Sequence, residues 1–391
     1  MLRSLYSGIS GLRSHQTMLD VTGNNIANVN TTAFKASAVQ FQDTLSQMTQ
    51  GAGGPQPETG GTNPAQVGLG VQVAGISTNF AQGSAQATGR ATDVMITGDG
   101  FFVTRLAGEA LYTRAGAFDF DAQGRLVSPD GAIVQGWNAV NGQINTGGQV
   151  SDITLPTQAV LPAVRTTAAT VAGNLPADAA VGTEQVRDVR IFDASGEART
   201  LSVAFTRTSA GWDVTATDPA GNTTGTGTLA FTDGVLTQGG NLTVNDIAVD
   251  MTAVTGYSDI TTIAITGQNG TDAGTLQTFT LGKDGTLVGL FSNGGQQAIA
   301  RIALATFINP GGLEKSGTSA YRVTFNSGAG ELGAPGQGGF GAIIGGALEM
   351  SNVDLSQEFT NLIVAQRGFQ ANARIITTSD EVLQELSNLK R

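Results

Sequence analysis

Cysteine is absent from the 391 residues, so the fold uses no disulfide and no thiolate-held metal. Histidine occurs once, as His15, too little for an imidazole cluster. A lone helical His is more often a surface or interface residue than a ligand. Charged residues make up only 13%, against about a quarter in an average globular chain. Beside 40% hydrophobic residues, that share excludes a disordered polyelectrolyte. The charge present leans acidic, 20 Lys and Arg against 31 Asp and Glu, and no basic run exists. Nucleic acid and anionic membrane surfaces are therefore excluded as partners. No apolar run reaches the ~18 residues of a spanning helix, so membrane insertion is not expected. The N-terminal apolar residues are periodic, separated by Arg3, Ser7, Arg13 and His15, unlike a cleavable signal peptide. Any export is then expected to be uncleaved.

The same scarcity leaves no cofactor to expect. Gly336, Gly338 and Gly341 fit a G-x-G-x-x-G spacing, but no strand–helix unit surrounds them. Asp119, Asp121 and Gly124 imitate the start of a calcium loop. Gln123 and Asp130 stand where ligands are needed, so a hairpin turn is the better account. A histidine-dependent triad would have to use His15, which leaves only paired carboxylates for catalysis. The competing reading is a secreted β-rich protein that hydrolyses or binds glycans. It would need two buried carboxyls across a cleft in residues 150–275, or an aromatic platform. Trp137, Trp212 and Tyr257 are too scattered for a platform, and Trp212 is expected in a core.

What the chain does have is glycine and two apolar ladders. Gly contributes 55 residues, about twice the usual ~7%, which suits a β body with many tight turns. At the start, Leu5, Leu12, Leu19 and Ile26 recur every seven positions, with Leu2 and Ile9 interleaved. At the far end, Leu355, Leu362, Phe369, Ile376 and Leu383 repeat the step, with Phe359 and Ala373 alongside. A heptad keeps one stripe of a helix against a partner. The stripes predict either a helical hairpin within one chain or a subunit that polymerises. The first helix is expected from Leu2 to Asn28, with Gly8, Gly11 and Gly23 each costing on the order of 1 kcal/mol. The last is expected from Val353 to Lys390, with Ser351 as N-cap, Asp354 completing a capping box, and Lys390 and Arg391 favouring its C-terminal pole.

Between the helices the pattern is β. The expected class is α+β: terminal helices in an antiparallel coiled-coil-like pair, and a mainly-β body of two domains. The helical part comprises 1–30 and 351–391. Residues 31–66 and 335–350 read as Gly/Pro-rich connectors, with 51–66 a surface loop. An inner β domain is expected at 67–149 plus 276–334, and 150–275 as a second β domain inserted in it. Hairpins are expected along VRDVRIFDASGEARTLSVAFTRTSAGWDVTATD, turning at ASGE and TSAG.

The stretch SGISGLRSHQTMLDVTGNNIANVNTTAFKAS at 7–37 resembles the N-terminal signature of the flagellar rod, hook and hook-associated axial proteins. Asn24, Asn25, Ile26, Ala27, Asn28, Asn30 and Thr31 form its centre, followed by Phe34 and Lys35. The C-terminal signature is similar at Ser351, Asn352, Val353 and Asp354, and again at QRGFQANARII, which holds Gln366, Arg367 and Asn372. GDGFFV, YTRAGAFDFDAQGRLVSPDG and QGW resemble the family's body. Ala33 stands where the family usually has Gly, which weakens the case for a positive φ there. Length and the inserted domain point to hook-type members over the shorter distal-rod type. The resemblance implies a structural, non-enzymatic subunit of a hollow, curved helical tube joining rod to filament and transmitting torque. It implies a homo-oligomer meeting the distal rod, hook–filament junction and hook cap proteins, placed outside the cell by the flagellar type III export apparatus.

Overall fold

The computed structural model describes residues 2–57, 60–156, 158–218 and 223–388. It is mainly β with one helix near each end, α1 at Leu2–Ala27 and α2 at Leu355–Asn388, an α+β chain. Two compact units separate. The first holds 1–155, 280–288 and 298–391, and the second 156–279 and 289–297. The helices are not a domain of their own. They belong to the first unit, and the return from the insert falls near 280 rather than 276.

In the first unit α1 leads into a ribbon of β1 (Ser37–Asp43), β2 (Ser46–Gln50), β3 (Ala65–Gly68) and β4 (Val71–Thr78). β1 pairs antiparallel with β4, and β2 with β3. A Gly53–Thr62 bridge extends the second pair. The segment expected as a surface loop at 51–66 is, among the described residues, the exposed connection of this hairpin, with strand only from Ala65. All residues of β2 and β3 are exposed, so no burial alternation was available to mark them as strands. Leu45 and Met48 project into solvent.

The body of this unit is a sheet around β7 (Phe101–Leu106), reached through β5 (Ala85–Ala87) and β6 (Val94–Thr97). β7 pairs with β8 (Glu109–Thr113), with Ile133–Asn138 and with Leu304–Thr306. β8 pairs with Ala320–Arg322, which closes a hairpin with Glu314–Gly317. Phe101, Val103, Ala305, Phe307 and Tyr321 pack one face, and Phe102 stacks edge-on against Phe118 at 5.2 Å. The second half of the Gly-rich 335–350 connector is strand. Ala342–Gly345 pairs with β6 and Ala347–Glu349 with β5. Their partners lie far away in sequence, which is why composition alone reads them as linker. Asp121 accepts from the Gln123 and Arg125 amides, and Gly124 has φ 76°, a hairpin turn.

The second unit is a mostly antiparallel sheet. Glu184–Phe192, Ala198–Arg207, Trp212–Asp218 and Thr223–Thr232 follow one another as hairpins. Ala168–Asn174 runs parallel to Ile247–Thr255. Trp212 is buried in its core with Leu201, Val203, Phe205 and Met251.

α2 begins later than its sequence pattern suggests. Residues 351–354 lie outside the helix, and Asp354, not Ser351, is the N-cap. Its Oδ1 accepts from the Ser356 and Gln357 amides at 2.8 and 3.3 Å. The carboxylate wins because it also carries the negative charge that the helix N-terminus favours. The cationic end expected at Lys390 and Arg391 lies outside the described residues.

Candidate assembly interface

α1 and α2 pack antiparallel. Gly8 faces Ile376, Gly11 faces Asn372, and His15 faces Gly368. Nearer the other end, Asn25 Nδ2 donates to Glu358 Oε1 at 3.1 Å. The seam between the helices is small and polar. Gly8, Gly11, Ser14, Thr22 and Asn25 on α1 are buried, as are Glu358 and Ala365 on α2. A Cβ on Gly11 would stand 2.6 Å from the Asn372 amide, and one on Gly368 would stand 2.5 Å from the His15 ring. The glycines that local propensity counts against the helix leave the room that the Asn372 amide and the His15 ring occupy.

The helices form the expected antiparallel pair, but the ladders supply only part of its seam, with Ile376 facing Gly8. Leu5, Ile9, Leu12, Leu19 and Ile26 are half-buried, as are Leu362 and Ile376. Leu355, Phe359, Phe369 and Leu383 are exposed, together with Ile363, Val364, Ile375 and Val382. One helix thus carries eight exposed large apolar side chains. Of these, Leu355, Phe359, Phe369 and Leu383 share one side of the helix at 100° per residue, and clustered exposed apolar residues mark an interaction site. The missed signal was the stripe of small residues at 8, 11, 14, 22 and 25. It keeps helical spacing as faithfully as the leucines do.

The asparagine motif at the end of α1 is structural. Asn28 Nδ2 donates to the Asn24 carbonyl at 2.9 Å, and Thr31 Oγ1 donates to Asn28 Oδ1 at 3.0 Å. Together they turn the chain as the helix stops. Buried Asn25 exchanges bonds with the Ser37 backbone at 2.8 and 3.0 Å, pinning helix to ribbon. Asn24, Ala27, Asn30, Gln366 and Arg367 are exposed and make no part of the seam. Ala33 does adopt φ 55°, fully buried, with its amide bonded to the Glu349 carbonyl at 2.8 Å. That bond holds the strained alanine where glycine would sit freely.

Below the helices lies a buried ionic root. Lys35 Nζ donates to Glu349 Oε1 at 2.6 Å and to the Ala81 carbonyl at 2.8 Å, with both charged side chains fully covered. The Gly83 amide also donates to Glu349 Oε1, while the Arg114 guanidinium lies 3.6 Å from Oε2. Desolvation lowers the Lys35 pKa against the raising pull of Glu349. Asn352 completes the knot, accepting from the Ala36 amide and donating to the Asn79 and Ala81 carbonyls. Phe34 packs beneath the Lys315 ammonium, 5.3 Å from its ring centre. Lys35 and Asn352 were legible as motif residues. Arg114 lay unremarked inside YTRAGAFDFDAQGRLVSPDG and Glu349 just before Ser351, because nothing local marks a charge as buried.

Family models match in three places. One described as "Flagella basal body rod protein" matches residues 5–35, the "Flagellar hook protein FlgE/F/G D1 domain" matches 95–171, and the "Flagellar basal body rod FlgEFG protein C-terminal" matches 344–389. The flagellar hook protein FlgE of Borreliella burgdorferi is 40% identical, with all of both chains covered. That of Treponema pallidum is 38% identical at the same coverage.

This chain belongs to the flagellar hook protein family.

It is a structural subunit of the bacterial flagellar hook, which polymerises with other flagellar components into a helical tube. One relative carries a rod name. The flagellar basal-body rod protein FlgG of Bacillus subtilis is 35% identical, with both chains fully covered. A rod-named relative can therefore match the full length of this chain, so the length and inserted domain taken from the sequence do not by themselves separate hook from rod subunits. No described helix of this hook-family chain is long and apolar enough to cross a membrane.

Proposed function

We propose that the exposed face of α2, with the half-buried ladder of α1 beside it, is the contact by which hook subunits build the inner wall of the tube. The observation that carries this is the mismatch between pairing and hydrophobicity. The helices meet through glycine, serine and asparagine, while Leu355, Phe359, Phe369 and Leu383 face solvent. A chain evolved to stay single would turn those side chains inward. Head-to-tail contacts that do not close on themselves generate helical filaments, and the covered apolar surface drives them.

In this reading the subunit leaves the cell uncleaved through the flagellar type III export apparatus and assembles beneath a hook cap protein. It meets the distal rod protein at one end and a hook–filament junction protein at the other. The role assigned to the chain is mechanical, transmitting torque around a bend, with no catalytic step. The test is Phe359→Asp with Phe369→Asp. Each exposed ring contributes about 1.5–3 kcal/mol when fully buried, so the critical concentration for polymerisation rises at least roughly tenfold. Far-UV circular dichroism of the monomer stays unchanged. Tubes forming at the parent concentration would refute the assignment.

A further inference from the structure

A second contact between copies is written into the first unit, away from the helical stripe. The loop after Ala320–Arg322 presents Phe325 completely exposed, and Ile308 beside it is 97% exposed. This is not a slack loop. The Thr324 amide donates to Ser327 Oγ at 3.0 Å, and the Asn326 amide donates to Thr324 Oγ1 at 3.2 Å. Asn309 Nδ2 donates to the Asn326 carbonyl at 2.9 Å, tying the Ile308 and Phe325 segments together. Buried Ser327 anchors the turn from below. A rigid knob with two bare apolar side chains results, already ordered and so losing little entropy when covered.

The same unit holds a pocket of about 380 Å³. Ala132, Ala320 and Tyr321 form its buried apolar floor, Ala117 and Phe34 line its side, and Thr318 stands at the mouth. A cavity of about 150 Å³ holds a benzene ring, so there is room for a phenyl group and a neighbouring aliphatic chain. The wall is strained. Gly317, Thr318 and Ser319 have φ of 89°, 48° and 57°, and Thr318–Ser319 form the two-residue turn between Glu314–Gly317 and Ala320–Arg322. Positive φ at both central positions favours Asn-Gly, and a β-branched residue there is an outlier. Thr318 Oγ1 donates to Asp130 and Ser319 Oγ to the Thr32 carbonyl, holding the turn in shape. Strain kept by surrounding bonds gathers at binding sites.

We infer that the Ile308–Phe325 knob of one copy seats in the Phe34–Tyr321 pocket of a second copy, a heterologous contact that continues from subunit to subunit. The inference rests on the polymerising role above. A filament needs a projection and a receptor for it, and this unit carries a bare apolar knob and an apolar pocket.

The absence of cysteine makes the test clean. Phe325→Cys and Ala117→Cys chains are mixed, polymerised and oxidised. A disulfide-linked pair is expected from the mixed polymer, and none from unpolymerised mixture or from Phe325→Cys alone. Phe325→Asp, a change at a fully exposed position, is expected to raise the critical concentration roughly tenfold or more. Polymer without the cross-link, with Phe325→Asp assembling like the parent, overturns this contact and leaves the helical one standing. A parent chain that never polymerises overturns both.

Discussion

Replacing Lys35 by Met removes the cation from a carboxylate that has no water to turn to. Lys35 and Glu349 are both fully covered and 2.6 Å apart. After the change Glu349 keeps the Gly83 amide, and its nearest cation is the Arg114 guanidinium at 3.6 Å. The Ala81 carbonyl keeps a donor in Asn352, so it is not orphaned. Breaking a buried pair from one side costs about 3–5 kcal/mol, and the second cation places this case near the lower end. With a denaturant slope of about 2–3 kcal/mol per molar urea, the midpoint should fall by roughly 1–1.5 M. The probe is the fluorescence of Trp137, which lies in this unit, with Trp212 replaced by Phe in both chains compared. A Lys35→Met, Glu349→Gln chain should be more stable than Lys35→Met alone, because the buried charge is gone and the amide still accepts from Gly83. A loss below about 1 kcal/mol, or a double variant worse than both single losses added, would refute the root as a buried ion pair.

Two further outcomes follow from the packing and the titration. Gly11→Ala should destabilise the helix pair by about 1–3 kcal/mol, outweighing the roughly 1 kcal/mol that Ala gains in a helix, because its Cβ would stand 2.6 Å from the Asn372 amide. Thermal unfolding followed by far-UV circular dichroism checks this, and a raised midpoint contradicts the close approach. Burial pushes the Tyr321 hydroxyl up to about 12 from the usual tyrosine value of about 10. The folded state then binds the proton more tightly than the unfolded one, so stability is full below pH 10 and is lost as pH rises toward about 12. Lys35 has the opposite sign. Its pKa is lowered, so its contribution rises with pH up to 10.5, and Tyr321→Phe should remove only the loss above pH 10 in alkaline unfolding curves.

Much of the chain was legible because its signals are local. Seven-residue apolar spacing fixed both helices to within a residue or two, since a helix repeats its environment every turn. Turn sequences such as ASGE located hairpins for the same reason, and the two motif ends carried the family. The N-cap was misread by three residues, because Ser351 and Asp354 both suit a cap and their spacing alone does not choose between them.

Sequence by itself thus determined the elements, the class and the family, each written in spacing between near neighbours. Tertiary structure alone decided that Gly8, Gly11 and Gly368 form the seam while phenylalanines face outward. It alone decided that the second half of a Gly-rich connector is strand, and that Lys35, Arg114 and Glu349 meet in the dark. Those outcomes depend on which distant segments touch. A residue's burial belongs to the partners that cover it, and those lie hundreds of positions away along the chain.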